Sequence, residues 1–150
     1  MYQAIVKAKV RRVFDRINQG DYRPMVDGLA EDFVYVFHGE HALGGRRTTR
    51  EAMVHWWERT LRLLPGARFD IDDILVAGFP WRTRVATRAR VTGNLPDGTT
   101  YANTVFQFLT LRWGRVTEVE TIEDLQVLQR ALAAVAASGI DEALSPPIEG

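Results

Sequence analysis

Residues 113–124 read WGRVTEVETIED, a stretch that contains a turn, a strand and the start of a helix. Side chains of a strand alternate between its two faces, so Glu118 and Glu120 share one face. The side chains that we expect to point inward from the opposite face are Thr117, Val119, Thr121 and Glu123. Asp124 can cap a helix, and the leucines that follow it predict a final helix up to Ala137.

Three earlier stretches predict further antiparallel strands, at residues 68–77, 81–92 and 101–113. Turns that contain Gly and Pro separate them, which is typical of a meander. The middle strand alternates in character, so one of its faces is predicted to be exposed. That face carries Arg82, Arg84, Arg88 and Arg90. We expect these arginines to pair with Glu118 and Glu120 across the sheet.

The first half of the chain is predicted to be mainly helical. Apolar side chains at three- and four-residue spacing predict a helix over 2–19, followed by a second, short helix. β-Branched and aromatic residues from Asp32 onward predict a strand, which ends at a Gly-rich loop over 39–47. Thr48 and Glu51 have the spacing of a capping box, so a third helix is expected to begin there.

Composition excludes several classes of protein. The 150 residues and 17.0 kDa correspond to one domain. The 19 basic and 19 acidic residues balance, so no overall field draws the chain to nucleic acid or to an anionic membrane. No apolar stretch approaches the roughly 20 residues that span a bilayer. The absence of cysteine excludes disulfides, and the charged start lacks signal-peptide features, so we expect a cytoplasmic protein.

The predicted order is helix, helix, strand, helix, three or four strands and helix. The most distinctive stretches are EDFVYVFHG at 31–39, the pair Gly44 and Gly45, the pair Trp56 and Trp57, and residues 113–124. Together these features resemble the SnoaL-like branch of the nuclear transport factor 2-like superfamily. The resemblance covers nearly the whole chain.

This resemblance implies a single α+β domain over 1–150, with its core at 2–130 and a C-terminal helix and tail at 124–150. In that superfamily a cone-shaped, curved antiparallel sheet wraps around three helices of the N-terminal half and encloses an apolar pocket. Members include isomerases, cyclases, epoxide hydrolases, dehydratases and non-catalytic binding domains. Because members commonly form homodimers through the sheet, the expected partners are an apolar small molecule and a second copy of the chain.

The resemblance also indicates where relatives hold catalytic carboxylates, and both positions carry other residues here. The general-base position of the isomerases, at the end of the first strand, falls on Phe37, which His38 follows. The acid that cyclases and epoxide hydrolases hold in the last strand falls on Thr121.

Two ionisable residues near these positions are the candidates for catalysis. His38 is a candidate because unperturbed histidine side chains have a pKa of about 6.5, which suits general acid or base work. Its alternative role is to satisfy a backbone group at the end of the strand. Glu123 faces inward by strand alternation, and apolar surroundings would raise the pKa of its carboxyl. Its alternative role is to assist Asp124 at the start of the helix.

No metal or cofactor is predicted. His38, Glu40, His41 and His55 lie close in sequence, but their spacing matches no metal-binding motif. The chain also lacks the Gly-x-Gly-x-x-Gly pattern and a Walker-type phosphate loop, so catalysis, if present, is expected to be free of cofactors.

The expected pocket combines aromatic side chains with a few neutral amides, which can orient a carbonyl or a hydroxyl group. Asn103 and Gln107 share one face of their strand, whereas Phe106 and Phe108 share the other, and the pattern does not decide which face is inside. The full set of expected pocket residues is Phe14, Ile17, Tyr35, Phe37, Trp57, Leu61, Trp81, Asn103, Gln107 and Thr121.

Three functions remain open on this basis. The first is an enzyme that transfers protons on an apolar polyketide, terpenoid or steroid-like substrate, with His38 and Glu123 as its acid and base. The second is a protein that binds an apolar ligand without converting it. The third is an interaction module that forms a homodimer through its sheet.

Overall fold

A curved, open sheet of six strands dominates the computed structural model, which describes residues 1–150. The strands are β1 (Leu29–Phe37), β2 (Gly45–Arg47), β3 (Arg68–Phe79), β4 (Arg82–Asn94), β5 (Thr100–Arg112) and β6 (Arg115–Glu123). The helices are α1 (Tyr2–Asn18), α2 (Arg23–Asp27), α3 (Arg50–Leu63), α4 (Leu125–Ala137) and a short 3-10 helix (Asp141–Leu144). The predicted α+β class, with three helices in the first half and one after the sheet, is confirmed.

The order of the strands across the sheet is β2-β1-β6-β5-β4-β3. Neighbouring strands are antiparallel with one exception, the pair β1 and β6, which is parallel. In this pair Tyr35 lies opposite Val119 and Phe37 lies opposite Thr121. The prediction of a wholly antiparallel sheet is therefore wrong at this pair. It is also incomplete, because the predicted Gly-rich loop contains the edge strand β2.

The helices pack against the concave face of the sheet and form one core with it. Phe14 of α1 lies against Phe69 of β3, with ring centroids 5.8 Å apart. Trp57 of α3 stacks on Tyr22, next to α2, at 6.1 Å. Apolar burial of this extent is the main force that stabilises the fold. It holds α1 against β3, and it holds α3 against β1 through Trp56 and Tyr35.

Alternation along the strands is as predicted except at Thr117, which is half-buried where the register between β5 and β6 shifts by one residue. In β4 every second residue from Thr83 to Val91 is buried, and the arginines at the positions between them face outward. In β6 Val119, Thr121 and Glu123 are buried. The structure also decides the question left open for β5, because Asn103 and Gln107 are buried. Phe106 and Phe108 lie outside, about half exposed.

The predicted pairing of the arginines with Glu118 and Glu120 is wrong. The two groups share the outer face, but β5 separates β4 from β6. Arg88 instead pairs with Asp72 of β3, with 2.7 Å between Nε and Oδ1. Glu120 contacts His38, the residue that follows β1, at 3.0 Å.

Helix α3 begins one residue later than the capping box predicts. Thr49 is its N-cap, and the Thr49 hydroxyl accepts a hydrogen bond of 3.2 Å from the backbone N–H of Ala52. Thr48 has another role, since its hydroxyl donates a hydrogen bond of 3.0 Å to the carbonyl of Gly150. The end of the tail therefore packs alongside β2 and α3, a contact that no local pattern indicates.

None of the helices combines the length and the apolar composition that a membrane-spanning segment requires.

Candidate functional site

A small cavity lies between the concave face of the sheet and the helices α1, α2 and α3. Its free volume is about 30 Å³, and most of the surrounding side chains are aromatic or aliphatic. At roughly 10 to 15 Å³ of such volume per water, the space accommodates about two water molecules. The surrounding residues are Phe14, Met25, Tyr35, Phe37, Leu43, Trp56, Trp57, Thr60, Leu64, Ala67, Phe69, Val91, Val105, Gln107, Thr121 and Glu123.

Glu123 is the only ionisable carboxyl group on this cavity. It occupies the last inward position of β6 and is 8% exposed. Burial raises the pKa of the Glu123 carboxyl to about 7, although a hydrogen bond from Tyr101 acts in the opposite direction. The phenol of Tyr101 donates this bond to Oε1 over 2.9 Å. A carboxyl group of this kind is present in both protonation states near neutral pH, which is the condition for efficient acid and base catalysis.

Asn103, which does not line the cavity, holds the hydrogen-bonded pair of Tyr101 and Glu123 in place. Its Nδ2 donates hydrogen bonds of 2.8 Å to the Tyr101 hydroxyl and 3.0 Å to the carbonyl of Asp124. Its Oδ1 accepts a bond from the backbone N–H of Asp124. Asn103 thereby joins β5 to the junction between β6 and α4, immediately after Glu123.

Two buried polar atoms of residues on the cavity have no hydrogen-bond partner within the chain. Gln107 donates from Nε2 to Thr121 at 3.1 Å and to the Tyr35 hydroxyl at 3.5 Å, which leaves its Oε1 without a donor. Trp57 Nε1 has no acceptor. Buried polar atoms without partners are costly, so two residues of the cavity wall carry one free acceptor and one free donor.

A fully buried arginine lies beside the aromatic part of the cavity wall. Arg47 of β2 is 0% exposed, and its guanidinium carbon lies 5.6 Å from the ring centre of Tyr35 and 5.1 Å from that of Trp56. Burial lowers the pKa of Arg47 to about 10, so the group still carries its charge at neutral pH.

The structure brings seven of the expected residues to the cavity: Phe14, Tyr35, Phe37, Trp57, Gln107, Thr121 and Glu123. Ile17 and Asn103 are buried but do not line it, and Leu61 is half-buried on α3, also away from it. Which of the buried residues line the cavity is therefore decided by the tertiary packing.

His38 and Trp81 lie outside the cavity, in contrast to the expectation from the sequence. The backbone N–H of His38 donates to the carbonyl of Thr121, so the sheet pairing continues past Phe37 and alternation turns the His38 side chain outward. Its Nε2 contacts Glu120 at 3.0 Å on the outer face. Trp81 lies in the turn before β4, is 55% exposed and stacks on Phe79 at 4.9 Å.

Sequence reasoning did not identify Tyr101, Arg47 and His41 as site residues. Tyr101 shares its parity with Asn103 and Gln107, which is the one signal that could have found it. Arg47 and His41 belong to the predicted Gly-rich loop, where no periodicity indicates burial. His41 is 7% exposed and has both ring nitrogens engaged, with Nε2 on the His38 carbonyl and Nδ1 on the backbone N–H of Leu43.

Three solved structures with the same fold share less than a quarter of their residues with this chain. TerC, crystallised with polyporic acid, has a TM-score of 0.70 and 18% identity, over 83% of this chain and 95% of its own. A protein from Catenulispora acidiphila with a ketosteroid isomerase-like fold, in complex with trimethylamine, has a TM-score of 0.68 and 22% identity. The match covers 85% of this chain and 92% of that protein. A nuclear transport factor 2-like protein from Burkholderia thailandensis has a TM-score of 0.70 and 19% identity. The match covers 85% of this chain and 94% of that protein.

No curated protein is significantly similar to the chain in sequence. The family model of the SnoaL-like domain, in contrast, matches residues 10–119. This range includes α2, α3 and β1 to β5 in full, together with most of α1 and the first half of β6. The chain therefore belongs to the SnoaL-like domain family.

Proposed function

We propose that this protein binds a small, mainly apolar molecule on the concave side of its sheet and transfers a proton on it with Glu123. The observation that carries the proposal is a buried carboxyl group on an aromatic cavity, with its pKa raised to about 7. General acid and base catalysts with a pKa near the working pH are the most effective. The complexes of TerC with polyporic acid and of the Catenulispora acidiphila protein with trimethylamine support a role in small-molecule binding.

The groups around the cavity fit proton transfer next to a carbonyl group. The Glu123 carboxylate takes a proton from the carbon atom beside the carbonyl and returns it to the same or another atom, so no further reactant is needed. The free N–H of Trp57 can donate to the carbonyl oxygen, which becomes negative during the reaction. The free Oε1 of Gln107 can accept a hydrogen bond from a substrate hydroxyl. A polyketide, terpenoid or steroid-like compound carries such groups on an apolar body.

The cavity must enlarge to admit such a molecule, because typical ligand pockets measure about 300 to 1,000 Å³. The walls that can move belong to the helices, since the sheet is held by continuous strand pairing. On that side, Phe14 of α1 and Trp57 of α3 are large side chains that line the free volume. Binding is therefore expected to shift the NMR signal of the Trp57 indole N–H.

Hydrogen–deuterium exchange on 2-tetralone tests the catalytic part of this proposal. In D2O, removal of a proton beside the carbonyl leads to incorporation of deuterium, which NMR follows directly. We expect the protein to accelerate exchange at least about tenfold over buffer and Glu123→Gln to abolish the acceleration. Glu118→Gln on the outer face of the same strand is the matched control and should behave as the unmodified protein. Equal rates with the protein and with Glu123→Gln would contradict the role of Glu123.

A dimeric interaction module is the second candidate, and the outer face of the sheet favours it. Phe106 and Ile122 lie directly opposite each other on β5 and β6 and are 50% and 46% exposed. Phe108, two residues along β5, extends the same apolar patch. We propose that a second copy of the chain covers it, as expected from the family. Light scattering should give twice 17.0 kDa for the protein and a monomer for Phe106→Glu.

A monomeric mass at working concentration would exclude the homodimer without affecting the proposed chemistry. The cytoplasmic location expected from the sequence stays a prediction, which fractionation of expressing cells would check.

A further inference from the structure

Arg47 has an unusual hydrogen-bonding pattern for a fully buried charge. Its Nη1 donates two hydrogen bonds of 2.8 Å, to the carbonyls of Gly44 and Ile148. Its Nε and Nη2 have no partner, and no carboxylate lies within ion-pair distance. Buried charges in proteins are normally paired, because an uncompensated charge is costly to remove from water.

The two free nitrogens of Arg47 share one edge of the planar guanidinium group. Nε–H and one N–H of Nη2 point in parallel from that edge, which is the geometry that a carboxylate matches with its two oxygens. A single carbonyl or water oxygen can accept from both N–H groups only in one shared, bent contact, and it brings no negative charge.

The surroundings of this edge suit the aromatic or aliphatic body of a ligand. The rings of Tyr35 and Trp56 flank the guanidinium group, and both residues also line the inner cavity. Arg47 itself does not line the cavity, so the carboxylate of a molecule in the enlarged cavity reaches the guanidinium group where the ring of Tyr35 or Trp56 moves aside.

The C-terminal tail covers Arg47 from the other side. Besides Ile148, the tail is attached through the carbonyl of Pro146, which accepts a hydrogen bond of 2.9 Å from Arg59. The backbone of Gly150 pairs with that of Arg46 beside β2. The carbonyl of Gly150 also accepts hydrogen bonds from the backbone N–H groups of Thr48 and Thr49 and from the Thr48 hydroxyl. Residues 145–150 form no strand or helix, so the tail is the part of the enclosure that can open locally without loss of regular secondary structure.

We propose that Arg47 binds the carboxylate of the ligand through its Nε and Nη2 edge, so that the ligand of this protein is an apolar molecule with one carboxylic acid group. This inference rests on the proposed function, because the apolar body occupies the enlarged inner cavity. The carboxylate supplies the two acceptors that the buried guanidinium group lacks. It also brings a negative charge into direct contact, whereas the carboxylate of Glu149 acts on Arg47 only from beyond ion-pair distance.

Binding of 2-naphthoic acid and 2-naphthamide to the full-length protein tests the inference. The two compounds have the same shape, but only the acid carries a charge at pH 7.5. Titration calorimetry should show that the acid binds at least about tenfold more tightly, as expected for a hydrogen-bonded charge pair. In ¹⁵N-labelled protein, the acid but not the amide should shift the Arg47 Nε–H signal.

Variants of Arg47 and Arg59 test whether Arg47 is the group responsible for the preference for the acid. Arg47→Met should bind the acid and the amide equally, because the methionine fills the space without the charge. Arg59→Met is the matched control, since Arg59 also holds the tail but is paired with Glu142, and it should preserve the preference for the acid. If Arg47→Met does not fold, Arg47→Lys keeps the charge without the two-nitrogen edge and should lose most of the preference.

The outcomes separate this inference from the proposed function. Equal binding of both compounds to the unmodified protein would make Arg47 a purely structural charge and leave the apolar cavity supported. A preference for the acid that persists in Arg47→Met and Arg47→Lys would place the carboxylate elsewhere and overturn the inference. Failure of both compounds to bind would count against the inference and the proposed cavity together.

Discussion

The Tyr101 hydroxyl lies 2.9 Å from Oε1 of Glu123 and donates a hydrogen bond to it, in the buried layer between β5 and β6. Asn103 in turn donates to the same hydroxyl, so a chain of hydrogen bonds runs from the amide through the phenol to the carboxyl group. This chain fixes the position of the one acidic group on the cavity. It also links the stability of the fold to the protonation of Glu123.

Replacement of Glu123 by Gln should stabilise the protein at alkaline pH. The pKa of the Glu123 carboxyl is raised from 4.5 to about 7 by folding, so its contribution to stability is full below pH 4.5 and is lost as the pH rises through 7. Glu123→Gln avoids this loss, so its gain in free energy of unfolding over the unmodified protein should approach roughly 3 kcal/mol at pH 8. Urea unfolding from pH 5 to pH 8 measures it, with Glu118→Gln as the exposed control. A difference from the unmodified protein that does not depend on pH would contradict the raised pKa.

Tyr101→Phe should raise the pKa of Glu123 further. The phenol stabilises the carboxylate by donating to it, so its removal leaves desolvation unopposed. The free energy of unfolding should fall by about 1 to 2 kcal/mol, since the carboxyl oxygen and Asn103 each lose a partner. Carbon-13 NMR of the Glu123 carboxyl group measures the pKa. Tyr22→Phe is the control, and an unchanged or lower pKa in Tyr101→Phe would exclude the proposed hydrogen bond.

Acid should destabilise the fold through His41. Its Nδ1 accepts from the Leu43 N–H and its Nε2 faces the His38 carbonyl, so only the neutral form with a proton on Nε2 satisfies both. Desolvation lowers the pKa of His41 below 6.5. The stability that depends on neutral His41 is therefore full above pH 6.5 and is lost as the pH falls through the folded-state pKa. Nitrogen-15 NMR of the ring should show the Nε2–H tautomer, and a His41 pKa above 6.5 would be incompatible with this arrangement.

Thr49→Ala and Thr48→Ala form a matched pair at the start of α3. Thr49 caps the helix, so its replacement should reduce the free energy of unfolding by about 1 kcal/mol. Thr48 only contacts the tail through its hydroxyl, so its replacement should cost less than about 0.5 kcal/mol. Urea unfolding of both variants checks the order, and the reverse order would support the capping box of Thr48 and Glu51 instead.

Glu142→Gln should loosen the tail without unfolding the domain. The Glu142 carboxylate accepts hydrogen bonds from Arg59 and Arg62 of α3, at 3.3 Å and 2.8 Å. Loss of these partly exposed pairs should cost about 1 kcal/mol or less. Amide hydrogen exchange should accelerate at Ser145 and Gly150 while the amides of β5 remain protected. Uniform acceleration across the sheet would indicate that the tail is part of the global unfolding unit.

Most secondary structure could be predicted from the sequence, because periodicity is a local property. The inward position of Glu123 follows from alternation along β6, and the exposed arginines of β4 follow from the same rule. The start of α4 after Asp124 follows from the capping chemistry of an aspartate, whose side chain accepts from the N–H groups of Gln126 and Val127.

Contacts between segments far apart in sequence could not be predicted in this way. Alternation defines two faces of β5 but contains no information on which one the helices cover, so the burial of Gln107 was undecided until the sheet was seen with α1 and α3 on it. His38 was expected near the cavity, and it lies outside because the pairing of β1 with β6 extends one residue further.

The sequence by itself determined the family, the order of the elements except β2, and the inward carboxyl group, because these follow from patterns along the chain. Only the tertiary structure decided the buried state of Arg47 and its cover by the tail. These features depend on where residues about 100 positions apart meet, as in the bond from Arg47 to Ile148 with a separation of 101. Burial of a charge has no local signature, because the free energy of desolvation depends on everything packed around the group rather than on its neighbours in the chain.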